Sequence, residues 1–281
     1  MRLGNRRVTG KEQYYTPEDL ALRLTAEVVA VAGPLNGRTV LEPAGGTGAF
    51  IKAAKTHGAG AFVSFDIDPK FEGVRKGDFL AAKLRLPHDA VAISNPPFGR
   101  NNSLSIPFFN KAADHAQYIA FIVPRSWRKW SVLNRLDRRF ELVADHDIQI
   151  DYVDDRGQHI NKQLRLRTCF QIWQRQEAVR PAIVVPDNGL IQKSSPEEAQ
   201  LAIRVFGYGC GKVLSDFPPQ KNTTLMFLKT KDPSVQKLLP ELDYQRFSKN
   251  TAYTEALAFT EINFLLNEKV FGSGLHQEKV R

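Results

Sequence analysis

The hydrophobic pattern of the chain begins with an apolar stripe at helical spacing in residues 16–33, "TPEDLALRLTAEVVAVAG". Leu20, Leu24 and Val28 would share one face of a helix, because residues four apart lie on the same side. The proline near the start and the glycine at the end are typical of helix boundaries. We predict an amphipathic helix over this segment.

Short apolar runs then alternate with helical segments as far as residue 140. The predicted strands are "RTVLE", "AFVSFDID", "DAVAIS" and "QYIAFIVP", and the predicted helices are "AFIKAAKTHG", "PFFNKAADHA" and "SVLNRLDRRF". An alternation of strands and helices predicts a parallel sheet that is covered by helices on both faces.

The pattern changes after residue 140, where two strand-like segments, 140–150 and 166–175, would form a hairpin at the edge of the sheet. Pro181, Pro186 and Gly189 lie close together, which indicates a domain boundary. We therefore predict an α/β domain of residues 1–178 and a smaller α+β extension of residues 179–281.

Within the extension, the residues from 194 to 207, "SSPEEAQLAIRVFG", are predicted to be a helix with a capping start. A second helix is predicted over 254–272, and two strands around a proline-rich loop are predicted between 211 and 230. We expect this extension to contribute to target recognition.

Composition and charge narrow the class of partner. Lys and Arg number 39 against 30 Asp and Glu, and the net charge of +9 favours a polyanionic partner such as nucleic acid. A basic soluble protein without such a partner is the alternative. Two cysteines and no N-terminal apolar segment lead us to expect a cytoplasmic protein, with no membrane helix. Histidines and cysteines lack zinc-ligand spacing, so we expect no metal.

A glycine-rich turn, "LEPAGGTGAF", lies between the first predicted strand and the next helix. Glycines at 45, 46 and 48 let the backbone turn sharply and approach a ligand closely. Their spacing differs from the G-x-G-x-x-G dinucleotide fingerprint. A purely structural strand-to-helix turn is the alternative.

The next two strand regions end in carboxylates. Asp66 and Asp68 follow the turn by roughly 20 residues, where an acidic side chain can bind ribose hydroxyls. Asp78 and Phe79, in "KGDFL", offer a carboxylate to the amine of an adenine and a ring to its face. Ligands of α/β proteins bind at the carboxyl ends of parallel strands, so these segments predict one nucleotide-type site.

These segments resemble the S-adenosylmethionine-dependent methyltransferases that modify exocyclic amines of nucleic acid. "QYYTP", "LEPAGGTGAF", "FDID", "GDFL" and "NPPF" resemble the N-terminal cofactor motif, the glycine motif, the ribose acid, the adenine pocket and the catalytic motif of that family. The resemblance covers residues 11–175 and has the motif order of the gamma-type DNA adenine methyltransferases. It implies a Rossmann-like class I methyltransferase sheet and S-adenosylmethionine as cofactor.

The resemblance also implies which residues bind the cofactor. The methionine end of the cofactor would contact Tyr15, Thr16 and Pro17, and the glycine turn would contribute Glu42, Ala44, Gly46 and Gly48. The ribose would be bound by Asp66, and the adenine by Asp78 and Phe79. Two further cofactor residues are Phe50 and Ile67.

Asn95–Phe98, "NPPF", places two prolines where a buried strand should continue. The exocyclic nitrogen of adenine is a poor nucleophile, because its lone pair is delocalised into the ring. Two acceptors, the Asn95 side-chain oxygen and the Pro96 carbonyl, would favour a tetrahedral nitrogen, and the prolines would hold them in place. Phe98 can stack on the base. We assign catalysis to Asn95, Pro96, Pro97 and Phe98, with a rigid structural turn as the alternative.

The segment "PRSWRKW" mixes cations with two indoles, which suits phosphate contact and base stacking. Trp127, Arg128, Lys129 and Trp130 are therefore candidate substrate-binding residues. The alternative is that the two tryptophans anchor a hydrophobic core.

These features together predict methyl transfer from S-adenosylmethionine to the N6 amine of adenine in DNA, with the target base flipped out or single-stranded. RNA methylation at adenine N6 or guanine N2 uses the same chemistry and is the main alternative. Methylation of a protein glutamine at N5 is a lesser one. A non-enzymatic nucleic-acid-binding module would leave the acidic strand ends unexplained.

Overall fold

A computed structural model describes residues 14–87, 89–159 and 166–275. The chain divides into two compact units, one of residues 1–123 and 136–180 and the other of residues 124–135 and 181–281. The sequence-based division fell between residues 178 and 179 and assigned the whole of 124–135 to the first domain. In the structure that short segment belongs to the second unit.

The first unit is built on a seven-stranded sheet. Its strands are β1 (Thr39–Glu42), β2 (Ala61–Asp66), β3 (Arg75–Lys76), β4 (Ala90–Ser94), β5 (Ala116–Pro124), β6 (Phe140–Ile148) and β7 (Thr168–Arg175). They lie in the order β3-β2-β1-β4-β5-β7-β6, and the pairs from β3 to β5 are parallel. This is the strand order of the Rossmann-like class I methyltransferase fold, and the predicted fold class is confirmed.

β6 and β7 form the antiparallel hairpin predicted at the edge of the sheet. β7 also runs against β5. The thiol of Cys169, at the start of β7, donates to the carbonyl of Val123 at the end of β5 over 3.7 Å. At the other end, Nε of Arg175 donates to the carbonyl of Ala116 over 3.1 Å.

Three helices cover the sheet of the first unit: α1 (Glu18–Ala32), α2 (Ala49–Thr56) and α3 (Ser105–Ala113). α1 begins after a proline and ends at Gly33, as the sequence predicts. Its buried stripe, including Leu24 and Val28, joins Phe50 of α2 in one hydrophobic cluster with the sheet. Full burial of such a side chain contributes about 1.5–3 kcal/mol, so this layer holds the strand ends in register.

The second unit contains a four-stranded sheet with the strand order β10-β9-β11-β8, in which each pair of neighbouring strands is antiparallel. Its elements are α4 (Trp130–Leu133), β8 (Ile191–Lys193), β9 (Leu201–Arg204), β10 (Val213–Leu214), β11 (Leu225–Thr230), α5 (Pro233–Leu238), α6 (Gln245–Ser248) and α7 (Phe259–Phe271). The helix predicted over 131–140 is thus only the single turn α4, since β6 already begins at Phe140.

The helix predicted over residues 194–207 is wrong. The polar first half forms turns, and the apolar second half is strand β9. Leu201, Ala202 and Ile203 are consecutive and fully buried, because β9 is paired on both sides, by β10 and β11. A short continuous apolar run of this kind is consistent with a central strand, and periodicity alone does not separate it from a buried helix.

Residues 124–135 are fixed in the second unit by an ion pair and by aromatic packing. Nζ of Lys129 lies 2.8 and 3.1 Å from the two carboxylate oxygens of Glu261 in α7, whose side chain is only 4% exposed. The indole of Trp130 packs against Phe247 and Phe264, with ring centroids 5.2 and 5.0 Å apart.

We predict that Lys129→Met lowers the free energy of unfolding of the second unit by about 3 kcal/mol or more, because it leaves the buried Glu261 carboxylate without its cation. Lys229→Met is the matched control, since its ion pair with Glu198 is solvent-exposed and should contribute less than about 1 kcal/mol. Urea unfolding of the full chain measures both. Equal, small losses in the two variants would contradict the structural role given to Lys129.

Candidate active site at the carboxyl edge of the parallel sheet

The glycine turn after β1 is bonded to the end of β2. Oδ2 of Asp66 accepts a hydrogen bond from the backbone N–H of Gly46 over 2.8 Å, and Oδ1 accepts one from the N–H of Asp68, also over 2.8 Å. The N–H of Gly45 donates to the carbonyl of Phe65 over 2.8 Å. The structure therefore joins two segments that the sequence analysis had placed at neighbouring strand ends.

The three glycines of the turn have no room for a side chain, and a Cβ on Gly45 would overlap Oγ of Ser64. Gly46 has a φ of +45°, and a Cβ there would lie 2.7 Å from ring carbons of Tyr15. Gly48 has a φ of +75°, and a Cβ there would overlap the ring of Phe71. In this structure the turn is approached by side chains of the chain itself, and the close approach of a ligand stays a prediction.

Tyr15 is held over the turn by the connection between β6 and β7, whose sequence from residue 151 to 163 is a mostly polar stretch. Its N–H donates to the carbonyl of Val153 over 3.0 Å, and the N–H of Val153 donates back over 3.1 Å. Burial, together with the carboxylates of Asp66, Asp155 and Asp68, raises the pKa of Tyr15 to about 12. The phenol is therefore neutral at physiological pH and can donate a hydrogen bond. The apolar pair "YV" inside the polar stretch was the available signal for this contact.

Glu42 ends β1 as a buried carboxyl group. Burial, and next the charge of Asp66, raise the pKa of Glu42 well above its ordinary value, while the backbone N–H of Ile51 hydrogen-bonds to the carboxyl and opposes the shift. Its second oxygen, Oε2, is buried and has no hydrogen-bond partner among residues 14–87, 89–159 and 166–275. Buried polar atoms are rarely left unpartnered, and those that are often belong to functional sites.

The "NPPF" turn meets the N-terminal motif. β4 is buried along its whole length and ends at Ser94. The next residue, Asn95, donates from Nδ2 to Oγ1 of the buried Thr16 over 3.1 Å. Thr16 adjoins Tyr15, whose ring lies over Gly46, so a continuous path of contacts connects the catalytic candidate with the glycine turn.

The residues after the two prolines are held in an unusual backbone conformation. The carbonyl of Phe98 accepts hydrogen bonds from the N–H groups of Leu104 and Ser105, both over 3.3 Å. Asn101 and Asn102 have φ values of +53° and +61°, in the left-handed region that non-glycine residues seldom adopt. Strained backbone of this kind concentrates at functional sites, which supports a role for the turn beyond chain reversal.

The remaining predicted cofactor residues differ in accessibility. Ile67 is 70% exposed beside Asp66, and the exposed Asp78 accepts a hydrogen bond from the N–H of Leu80 over 2.8 Å. Phe79 is buried between the rings of Phe65 and Phe108. The structure thus leaves Ile67 and Asp78 accessible to a ligand, whereas Phe79 is enclosed by the core.

Three further predicted positions belong to the framework of the turn. Pro17 directly precedes α1, Ala44 is half-buried in the turn, and Phe50 is buried in the hydrophobic cluster under α2. Of the four catalytic candidates, Pro96 is buried, Asn95 and Phe98 are half-buried, and Pro97 is exposed.

The candidate substrate-binding segment belongs to the second unit. Trp127 is completely buried, Lys129 is paired with Glu261, and Trp130 packs on two phenylalanine rings, while Arg128 is half-buried. These contacts favour the alternative reading, in which the tryptophans anchor a core. The alternation of cations and indoles in the sequence did not distinguish the two roles.

Neither a protein-family model nor a curated protein sequence matches the chain. Among solved structures, a suggested RNA methyltransferase from Pyrococcus horikoshii is 21% identical, with a TM-score of 0.47, over 59% of this chain and 87% of that one. The M protein of the type I restriction enzyme EcoKI is 16% identical, with a TM-score of 0.45, over 58% of this chain and 44% of its own. The 23S rRNA methyltransferase ErmE is 16% identical, with a TM-score of 0.40, over 61% and 72%. Similarities of this size do not identify a substrate.

Among residues 14–87, 89–159 and 166–275, no helix has the length and apolar character needed to cross a membrane.

We predict that Glu42→Gln stabilises the protein increasingly as the pH rises. The carboxyl has a higher pKa in the folded chain than in the unfolded chain, so the native protein loses stability as the pH rises from the ordinary glutamate value of about 4.3 towards the folded-state pKa. The glutamine does not titrate, so its advantage should grow by up to about 1.4 kcal/mol per pH unit in that window.

Urea unfolding at about pH 5 and about pH 8 measures this difference, with Glu72→Gln at an exposed position as the control. A stability difference for Glu42→Gln that is constant with pH would show that the carboxyl is not held in its neutral form.

Proposed function

We propose that the protein transfers a methyl group from S-adenosylmethionine to the N6 amine of adenine in DNA, with the target base flipped out of the duplex or single-stranded. The observation that carries this proposal is the hydrogen bond from Asn95 to Thr16. It brings the Asn-Pro-Pro-Phe turn to the N-terminal motif, whose Tyr15 lies against the glycine turn.

The residues at this edge suit S-adenosylmethionine in two observable respects. The buried Oε2 of Glu42 could exchange a hydrogen bond with a polar group of the cofactor, and the exposed Ile67 could be covered by an apolar one. Asp66 would hold the ribose hydroxyls, since each of its oxygens accepts one backbone N–H and retains a further lone pair. The neutral phenol of Tyr15 and the exposed Asp78 would bind the methionine and adenine ends. When bound, the cofactor supplies an electrophilic methyl group on a good leaving group.

The turn at the end of β4 would prepare the acceptor amine. The Asn95 side-chain oxygen and the Pro96 carbonyl would accept hydrogen bonds from the two N–H groups of this amine. This favours a tetrahedral nitrogen whose lone pair is directed at the methyl group. Pro96 and Pro97 restrict the backbone, so these acceptors need little reordering when the base arrives. Phe98 would stack on the base, a contact worth roughly 1–3 kcal/mol. The released proton would pass to water.

DNA is preferred over RNA because of the motif order of the resemblance, and a polyanion is preferred because of the net charge of +9. Adenine N6 or guanine N2 in RNA is the second candidate, because the same turn would accept either amine. A protein glutamine amide is the third. The second unit would contribute to target recognition, and we expect the protein to act in the cytoplasm.

We expect labelled S-adenosylmethionine to transfer its methyl group to adenine N6 in DNA. The assay offers duplex DNA, single-stranded DNA, RNA and total protein as acceptors, and the modified base is identified by mass spectrometry after digestion to nucleosides. Label confined to RNA would favour the second candidate. Label on protein alone, or on no acceptor, would contradict the proposal.

We predict that Asn95→Ala reduces the rate of transfer by about 100-fold or more, the size of effect seen when one pre-positioned hydrogen bond to the reacting group is removed. The affinity for S-adenosylmethionine should stay within a few-fold, because Asn95 is not itself an assigned cofactor contact and its hydrogen-bond partner Thr16 is left intact. Asn250→Ala in the second unit is the control and should transfer normally. Loss of cofactor binding in Asn95→Ala would mean that this turn has a different role.

A further inference from the structure

The hairpin loop between β9 and β10 presents aromatic side chains to solvent. Tyr208, near the middle of the loop, is fully exposed, and Phe206 is 48% exposed. With Arg204, Lys212 and Thr224 they line a concave pocket with a volume of about 480 Å³. This volume is within the roughly 300–1,000 Å³ range of ligand pockets. We call this surface the hairpin site.

The backbone of the loop holds Tyr208 in a defined position. Gly207, Gly209 and Gly211 have φ values of +85°, +75° and +96°, which glycine adopts without strain. The N–H of Gly211 donates to the carbonyl of Arg204 over 2.7 Å, and the N–H of Gly207 donates to the carbonyl of Glu255 over 3.0 Å. The loop is therefore tied both across the hairpin and to a neighbouring segment.

The core of the second unit also supports the loop. A Cβ on Gly211 would lie 2.6 Å from the side chain of the buried Tyr244, so the backbone is pressed directly against that ring. Phe206 is joined to Ala256 by an antiparallel bridge. An ordered platform loses less entropy on binding than a mobile loop would.

The two cations of the hairpin site face each other across the hairpin. The N–H of Arg204 donates to the carbonyl of Lys212 over 2.9 Å, and the Arg204 side chain lies along Gly209, with Cδ 3.6 Å from the Cβ position of that residue. Within the described part of the chain, neither cation forms an ion pair. Two cations that line the same surface as an exposed ring suit a base stacked on the ring with its phosphates bound to the cations.

We infer that the hairpin site binds an unpaired base, with its flanking phosphates, of the DNA substrate. This inference rests on the proposed function and adds a contact outside the catalytic turn. Tyr208 stacks on the base, and Arg204 and Lys212 bind the backbone. An apolar partner would not need the two cations, and a duplex would not offer a free base face to Tyr208.

The test compares Tyr208→Ala with Tyr208→Phe in the full-length protein. Fluorescence anisotropy with a labelled single-stranded DNA oligonucleotide should show Kd raised by about 5- to 150-fold in Tyr208→Ala, the range that corresponds to loss of one base–aromatic stack. Tyr208→Phe should bind like the native protein, because stacking does not need the hydroxyl group. Affinity for S-adenosylmethionine should be unchanged in both, which excludes damage to the first unit, and an unchanged urea unfolding curve of the full chain excludes damage to the second.

Lys212→Ala tests the phosphate contact. It should reduce the slope of log Kd against log salt concentration by about one and weaken different DNA sequences alike. Lys237→Ala, in α5, is the control and should leave the slope unchanged.

Unchanged DNA affinity in Tyr208→Ala would overturn the inference. So would a Tyr208-dependent preference for RNA or for an acidic polypeptide over DNA. Tyr208-dependent DNA binding by a protein that methylates no nucleic acid would support the hairpin site and contradict the proposed function, so the two failures are distinguishable.

Discussion

The candidate site depends on the carboxylate of Asp66, which accepts hydrogen bonds from Gly46 on one oxygen and from Asp68 on the other. The bond from Gly46, together with the bond from the N–H of Gly45 to the carbonyl of Phe65, fixes the glycine turn after β1 against the end of β2, and the bond from Asp68 orients the carboxylate. With the turn in place, the ring of Tyr15 can lie on Gly46, and the adjoining Thr16 can accept a hydrogen bond from Asn95. Three strand ends of a parallel sheet thus become one site.

The same edge of the sheet retains features that do not stabilise the fold. Glu42 has a buried oxygen without a partner and a raised pKa, and Asn101 and Asn102 have left-handed backbone conformations. Each of these costs folding free energy, and proteins tolerate such costs chiefly where function requires them. Glu42 adjoins the glycine turn, and the two asparagines follow the "NPPF" turn.

Sequence patterns predicted the parts of the structure that local rules control. The strand ends, the glycine turn and α1 follow from short segments, because helix spacing, turn residues and the geometry of parallel sheets are local. Long-range pairing was not predictable in this way. Strand β9 needs partners on both sides, and Tyr15 is hydrogen-bonded to Val153, which is distant from it in sequence. Lys129 resembled a nucleic-acid contact because its partner Glu261 is distant in sequence.

The most direct test of the central claim is a crystal structure of the protein with S-adenosylhomocysteine bound. The account predicts that the ribose hydroxyls contact Asp66, that the adenine lies between Ile67 and Asp78, and that the sulfur faces the side chain of Asn95. A ligand bound elsewhere, or one whose sulfur lies away from the Asn-Pro-Pro-Phe turn, would contradict it.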